Sequence, residues 1–242
     1  MSQYQNPYAS PGLNPIAAAA QVDERVRFIR NTYLHLAGAV MALVLFELTM
    51  FNVFPGMVDN ITGLIHKSGN IGWMVVLGLF MAASYIAEKW ARSSTSKSTQ
   101  YMGLGLYGLA FGIIVMPMLN VANTFYPGTI QSAGVVTGVV FVGLSAIVML
   151  TKTDFSFMRY GLYLLGMAAM AAIVVSLFVG GDFLGTWFSW AMVVLMSGYI
   201  LYHTSNIVHH YRTDQHVAAA LALFSSVAML FWYVLQIFMS RD

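Results

Sequence analysis

Seven apolar stretches follow one another along the chain, parted by short polar segments: Thr32–Phe54, Ile71–Trp90, Met102–Leu119, Ile130–Thr151, Gly161–Val179, Leu184–Tyr202 and Ala218–Phe238. Each is close to the roughly 20 residues a helix needs to cross the hydrocarbon layer, and none shows the strict alternation of a half-buried strand. The pattern predicts an all-α polytopic membrane protein, a bundle of seven transmembrane helices. Pro55-Gly56, Pro127-Gly128 and Gly180-Gly181 fall at the breaks, where turns are expected. Residues 1–24 carry three of the six prolines and no basic residue, and read as a disordered tail. Residues 25–242 then form a single seven-helix domain. The tail lacks a charged n-region followed by an apolar core, so the first span is expected to act as an uncleaved insertion signal.

Composition agrees. Charged residues make up 8% of the 242 and apolar ones 59%, with mean hydropathy +0.72. So few charges cannot cover the surface of a water-soluble domain. The lipid bilayer is therefore the first partner. Their placement gives orientation: Arg25, Arg27, Arg30, Lys89, Arg92, Lys97, Lys152, Arg159 and Arg212 fall on one side of the ladder, and only Lys67 and Arg241 on the other. Nine against two predicts a cytoplasmic N-terminus, with the C-terminus outside if all seven runs span. The net charge of +2 reflects this topology and contact with anionic lipid rather than nucleic-acid binding. The chain has no cysteine, which excludes disulfides, thiol catalysis and thiolate metal sites.

Ionisable groups inside spans are functional candidates because lipid makes them costly. Three stand out: His35, one turn inside span one; Glu47, in the far third of that helix and within reach of His66 or Lys67; and His203, at the end of span six. Ser225, Ser226 and Gln236 on span seven are cheap to bury once hydrogen bonded. His209, His210 and His216 lie in the following loop, where solvation is expected; no ligand spacing such as HExxH defines a metal centre. Gly103, Gly105, Gly108 and Gly112 in span three, with Gly134 and Gly138 in span four, suit close helix approach. Pro117 is expected to kink or end span three. A GxSG nucleophile motif is incomplete, since Leu195-Met196 precede Ser197-Gly198. No catalytic residue and no cofactor is expected.

Several segments resemble the Bax inhibitor-1 family, also called the transmembrane Bax-inhibitor-motif family. Thr151-Lys-Thr-Asp-Phe-Ser156 resembles its TKxDxS loop, and Tyr107-Gly-Leu-Ala-Phe-Gly112 its third-span motif. Tyr199-Ile-Leu-Tyr-His-Thr204, with Asn206 and Ile207, is similar to YxLYDT…I in span six; Leu221 to Ile237 resembles LxLYLDxxNLFxxLLRI. The resemblance runs from about Arg27 to the C-terminus. It implies a seven-helix fold with the last helix surrounded by the others and, for bacterial relatives, a pH-sensitive calcium leak. In that scheme aspartates on spans six and seven share a proton, and one latches to an arginine at the cytoplasmic end of span two.

Here His203 stands at the span-six aspartate and Ser226 at the span-seven one. Met229 replaces the family's asparagine, Gln236 its late arginine, and Met81 falls near a span-two carboxylate of some relatives; Arg92 matches the latch arginine. The resemblance thus carries over the fold but not the aspartate pair. Neutral His203 would accept a hydrogen bond from Arg92 or Ser226, and protonated His203 would repel Arg92. The gating and pH-sensing candidates are therefore His203, Ser226 and Arg92, with Glu47, Gln236 and His35 as secondary polar candidates. Two functions remain open: a pH-responsive ion leak with calcium as a weakly selected permeant ion, or a non-transporting membrane scaffold that keeps the fold without the dyad.

Overall fold

The computed structural model describes residues 15–93, 96–179 and 184–240. Among these the chain forms helices α1 (Val22–Val53), α2 (Pro55–Lys67), α3 (Gly69–Ala91), α4 (Lys97–Phe125), α5 (Thr129–Thr151), α6 (Arg159–Val179), α7 (Gly185–His209) and α8 (His216–Met239), with a 3-10 turn at Ser156–Met158. All but α2 are long and apolar enough to cross a membrane. The protein is an all-α, seven-spanning membrane protein, as the hydropathy pattern predicts.

The last helix is the axis of the bundle. Its apolar window is 67% buried, against 6% for α3 and for α6, and it packs on α1, α3, α4, α5 and α7. Small residues make this possible: Ala218, Ala219 and Ala220 at its start, then Ser226 and Ala228, let neighbours approach on several sides. Close approach also explains two of the glycines. A Cβ on Gly103 would sit 2.5 Å from the Ala87 carbonyl of α3, and one on Gly112 would sit 2.7 Å from the Phe46 ring of α1. Gly105, Gly134 and Gly138 have open space instead, so the expectation of tight packing fails there.

Several boundaries move, each for a local reason. Helix α1 begins ten residues before the apolar run, with Asp23 and Glu24 in its first turn, where carboxylates complement the helix dipole. The break expected at Pro55-Gly56 instead opens α2. Proline fits a first helical position, and Val58, Thr62 and Ile65 bury one face against the bundle. Pro117 does not end α4, which continues to Phe125. Helix α7 runs on to His209, so His203 lies well inside it rather than at its end.

One end of the bundle gathers the start of α1, the α3–α4, α5–α6 and α7–α8 connections, and nine basic residues. Here the segment expected to be a tail through residue 24 is held from Pro15 onward. Ala17 donates to the Tyr211 carbonyl at 2.8 Å, Thr213 donates to the Pro15 carbonyl at 3.1 Å, and the Thr213 hydroxyl donates to Glu24 at 2.6 Å. Residues 1–14, Gly180-Gly181 and Arg241 lie outside the described residues.

Candidate functional site

A cavity of about 1040 Å³ runs beside α8, walled by α3, α4, α6 and α7. Its α8 lining extends from Ala218 to Ser240, which at ~1.5 Å per residue is about 33 Å, the thickness of the hydrocarbon layer. The geometry follows from the packing: α8 touches α3 only lightly and α6 packs on α3 and α7, so space remains behind α6. Most of the wall is apolar, but polar groups mark both ends. Glu88, Arg92 and His203 stand at the basic end; Ser189, Gln236 and Ser240 stand at the other, with Ser84 and Ser225 between.

The sequence-derived candidates separate on this map. Arg92 and His203 share the cavity's basic end, but the expected latch is absent. Arg92 turns back along its own helix and donates through Nε and Nη2 to Glu88 Oε1 at 3.1 and 2.8 Å. An exposed pair four residues apart forms at little cost, which makes Glu88 the nearer partner. His203 stacks on Tyr199 and tilts against Tyr202, and its Nδ1 is buried with no hydrogen-bond partner among the described residues. Ser226 is 4% exposed, donates to the Ala222 carbonyl and does not line the cavity. Its neighbour Ser225 does. One residue turns a helix by about 100°, and Ser225 shares its face with Gln236, eleven residues or about three turns on. Gln236 accepts a hydrogen bond from Ser189 at 3.0 Å.

His35 and Glu47 lie elsewhere, on the α1–α4 side. His35 Nδ1 is 2.6 Å from the Asn31 carbonyl; a carbonyl only accepts, so Nδ1 donates and Nε2 accepts from the Tyr101 hydroxyl at 3.0 Å. Glu47 is 9% exposed and packs beside Gly112. Neither carboxyl oxygen has a hydrogen-bond partner among the described residues, so the expected pairing with His66 or Lys67 is not made. Burial of Glu47 follows from helix α2, which folds back over the end of α1 and supplies Val58 to a cluster with Met50 and Met116.

The loop between α5 and α6 is clasped to the end of α7. Asp154 accepts from the Ser156 amide at 2.9 Å, the Ser205 hydroxyl at 3.2 Å and His210 Nε2 at 3.2 Å. The Phe155 amide donates to Ser205 Oγ at 2.8 Å, and His209 Nε2 donates to the Lys152 carbonyl at 3.1 Å. The Ser156 amide, with the further donors, holds the Asp154 carboxyl down at about 2. His209 and His210 are thus loop anchors rather than freely solvated side chains. Beside them Tyr211 packs toward Arg92 and Glu88; burial pushes its phenol up, while the Arg92 charge pulls it back. Among the described residues no group of three His, Cys, Asp or Glu side chains could hold a metal ion.

Ser84, Glu88 and Ser189 are not among the candidates read from the sequence, and Ser225 is named there only as a serine that is cheap to bury. Their signal is spacing. Ser84 and Glu88 are four apart on one face of an otherwise apolar helix, as are Leu221, Ser225 and Met229 on α8.

A family model described as "Inhibitor of apoptosis-promoting Bax1" matches residues 25–242. An uncharacterized membrane protein of Vibrio cholerae is 29% identical over 217 residues, covering 88% of this chain and 89% of the relative. An uncharacterized protein of Pseudomonas aeruginosa is 29% identical over 222 residues, 92% and 93% of the two chains. Bax inhibitor 1 of Schizosaccharomyces pombe is 24% identical over 230 residues, 94% and 84% respectively. No solved structure matches.

Proposed function

From the premise that the chain belongs to the family of inhibitors of apoptosis-promoting Bax1, we propose that it is an acid-responsive ion leak with a weakened preference for calcium. The path is the cavity beside α8, and the basic end of the bundle faces the cytoplasm, with the C-terminus outside. The observation that carries the reading is that this cavity matches the hydrocarbon layer in length and brings His203 and Arg92 together at one end. Protonating His203 places a second positive charge beside Arg92, with Tyr199, Tyr202 and Tyr211 as the surrounding titratable rings. Like charges at close range repel strongly where water is scarce. The α3 and α7 ends then separate, and the cavity opens toward the cytoplasm. Among the described lining residues the one carboxylate is Glu88, and Arg92 engages it. A hard divalent ion takes several oxygen ligands, preferably anionic ones, so calcium is poorly favoured over monovalent cations. No catalytic step enters this reading.

The test is flux from proteoliposomes loaded with calcium- and potassium-sensitive dyes, measured from pH 8 down to about pH 4, below the ordinary histidine range. Acid-stimulated flux that is lost in His203→Ala is expected; stimulation unchanged by that substitution overturns the mechanism. The same lack of free carboxylate in the path favours a second reading, a non-transporting scaffold. Flux absent at every pH in the wild type and in His203 and Arg92 variants decides for it.

A further inference from the structure

A second cavity, of about 490 Å³, lies in the seam between α1 and α4, apart from the path beside α8. Gly38, Ala42 and Phe46 line it from α1, and Gly105, Gly108 and Leu109 from α4. The glycines leave it open: a Cβ on Gly105 would meet nothing within 4 Å, and one on Gly108 would meet only Phe224, at 3.9 Å. His35 and Tyr101, joined by their 3.0 Å hydrogen bond, stand at the basic end. From His35 to Phe46 the seam covers eleven residues of α1, about 16 Å at ~1.5 Å per residue. That is about half of the ~30 Å hydrocarbon layer. The seam therefore has the depth of one leaflet, with its polar end at the basic side of the bundle.

Two cations flank that end, Arg27 and Lys97; the carboxylates nearby are Asp23, one turn before Arg27, and Asp214, which Arg212 engages. Lys97 precedes Tyr101 by four residues on α4, and Arg27 precedes Leu34, which also lines the seam, by seven residues or about two turns on α1, so both lie on the helix faces that form the seam. Both are exposed. The ion pairs among the described residues are Arg92–Glu88, His210–Asp154 and Arg212–Asp214; neither Arg27 nor Lys97 takes part. His216 adds a third ring to the group, 4.9 Å from His35.

We propose that the α1–α4 seam binds one anionic phospholipid from the leaflet at the basic end. Arg27 and Lys97 hold the phosphate, with the Tyr101 hydroxyl beside it. One acyl chain lies along Gly38, Ala42, Gly105 and Gly108 and ends against Phe46. Lipid tails are as apolar as the helices, so the chain fixes position while the headgroup supplies selectivity. Each cation near an anionic headgroup contributes about a fivefold preference, and two contribute roughly 25-fold over a zwitterionic lipid.

The experiment is native mass spectrometry of the full chain, delipidated and then titrated with equimolar phosphatidylglycerol and phosphatidylcholine. One retained phosphatidylglycerol is expected per protein, with retention falling about fivefold in Arg27→Gln or Lys97→Gln. Gly105→Leu fills the seam without touching the cations and should remove the same lipid; a leucine there meets open space, so the fold tolerates it. Arg159→Gln, at the same end but away from the seam, should retain lipid as the wild type does. Equal retention of the two lipids overturns the proposal. So does displacement by glycerophosphate, which identifies a free-phosphate site, or an equal loss in Arg159→Gln, which identifies general attraction to a basic surface. Retention unchanged in Gly105→Leu overturns the seam as the site.

Discussion

Replacing Ser205 by alanine tests whether the clasp between the α5–α6 loop and α7 holds the cavity in register. Ser205 is fully buried, two residues from His203, and its hydroxyl makes two bonds at once. It accepts from the Phe155 amide at 2.8 Å and donates to Asp154 at 3.2 Å. Removing the oxygen leaves the half-buried Phe155 amide without its partner, and an orphaned donor costs about 1–3 kcal/mol where water cannot replace the lost bond. The Asp154 side loses less, because that carboxylate keeps the Ser156 amide and His210 and its side chain is 44% exposed, so water replaces the lost donor. The expected destabilisation of Ser205→Ala is therefore about 2 kcal/mol, close to a thirtyfold shift in the unfolding equilibrium.

Reversible unfolding in mild detergent, run as a double-mutant cycle with Asp154→Asn, measures it. Asp154→Asn should cost less than Ser205→Ala, with coupling of about 0.5 kcal/mol or more, since the two share a hydrogen bond. The pH dependence has a definite sign. The folded carboxyl lies at about 2, below its ordinary value of 3.8, so its contribution is complete above that ordinary value and is lost as pH falls toward 2. A Ser205→Ala variant within 0.5 kcal/mol of wild type, or an Asp154→Asn variant that costs more, refutes the account of the clasp.

Other substitutions probe the remaining elements. Ser225→Asp places a carboxylate on the cavity wall and should increase calcium flux in proteoliposomes, whereas Ser226→Asp points into packed helices and should chiefly lower stability; equal calcium gain from both would contradict the assigned face of α8. Glu47→Gln removes an ionisable group that has no hydrogen-bond partner among the described residues and should leave the detergent melting temperature unchanged or raised, while Glu47→Lys should lower expression sharply, because a charge held inside the bilayer costs roughly 2.5–3.5 kcal/mol; a marked loss in Glu47→Gln would reveal a partner for the carboxylate. Gly103→Ala drives a methyl into the Ala87 and Ala91 backbone at 2.5 and 2.7 Å, and should destabilise by about 1–3 kcal/mol, whereas Gly105→Ala should be neutral or stabilising by the same melt.

The fold was legible in the sequence because lipid imposes one rule on every span: about 20 apolar residues and all backbone bonds satisfied within the helix. That rule says nothing about what faces what. Helix α2 escaped because it obeys the amphipathic rule of soluble helices, with Val58, Thr62 and Ile65 on one face, and so carries no membrane signal. The site was half legible for the same reason. His203 and Arg92 were found as costly or motif-matched groups, and they do meet at one cavity end. Their hydrogen bonding was not found, because Glu88 competes for Arg92 at a spacing of four residues on one helix, a local advantage that a comparison across helices hides. The exchange of Ser226 for Ser225 has a rotational cause: aligning a motif fixes a position to one residue, and one residue is about 100° of helix. In an axial helix packed on nearly every side, that angle separates a group in the cavity from one sealed in the core. Which serine carries function thus depends on the rotation of α8, which the surrounding helices set together.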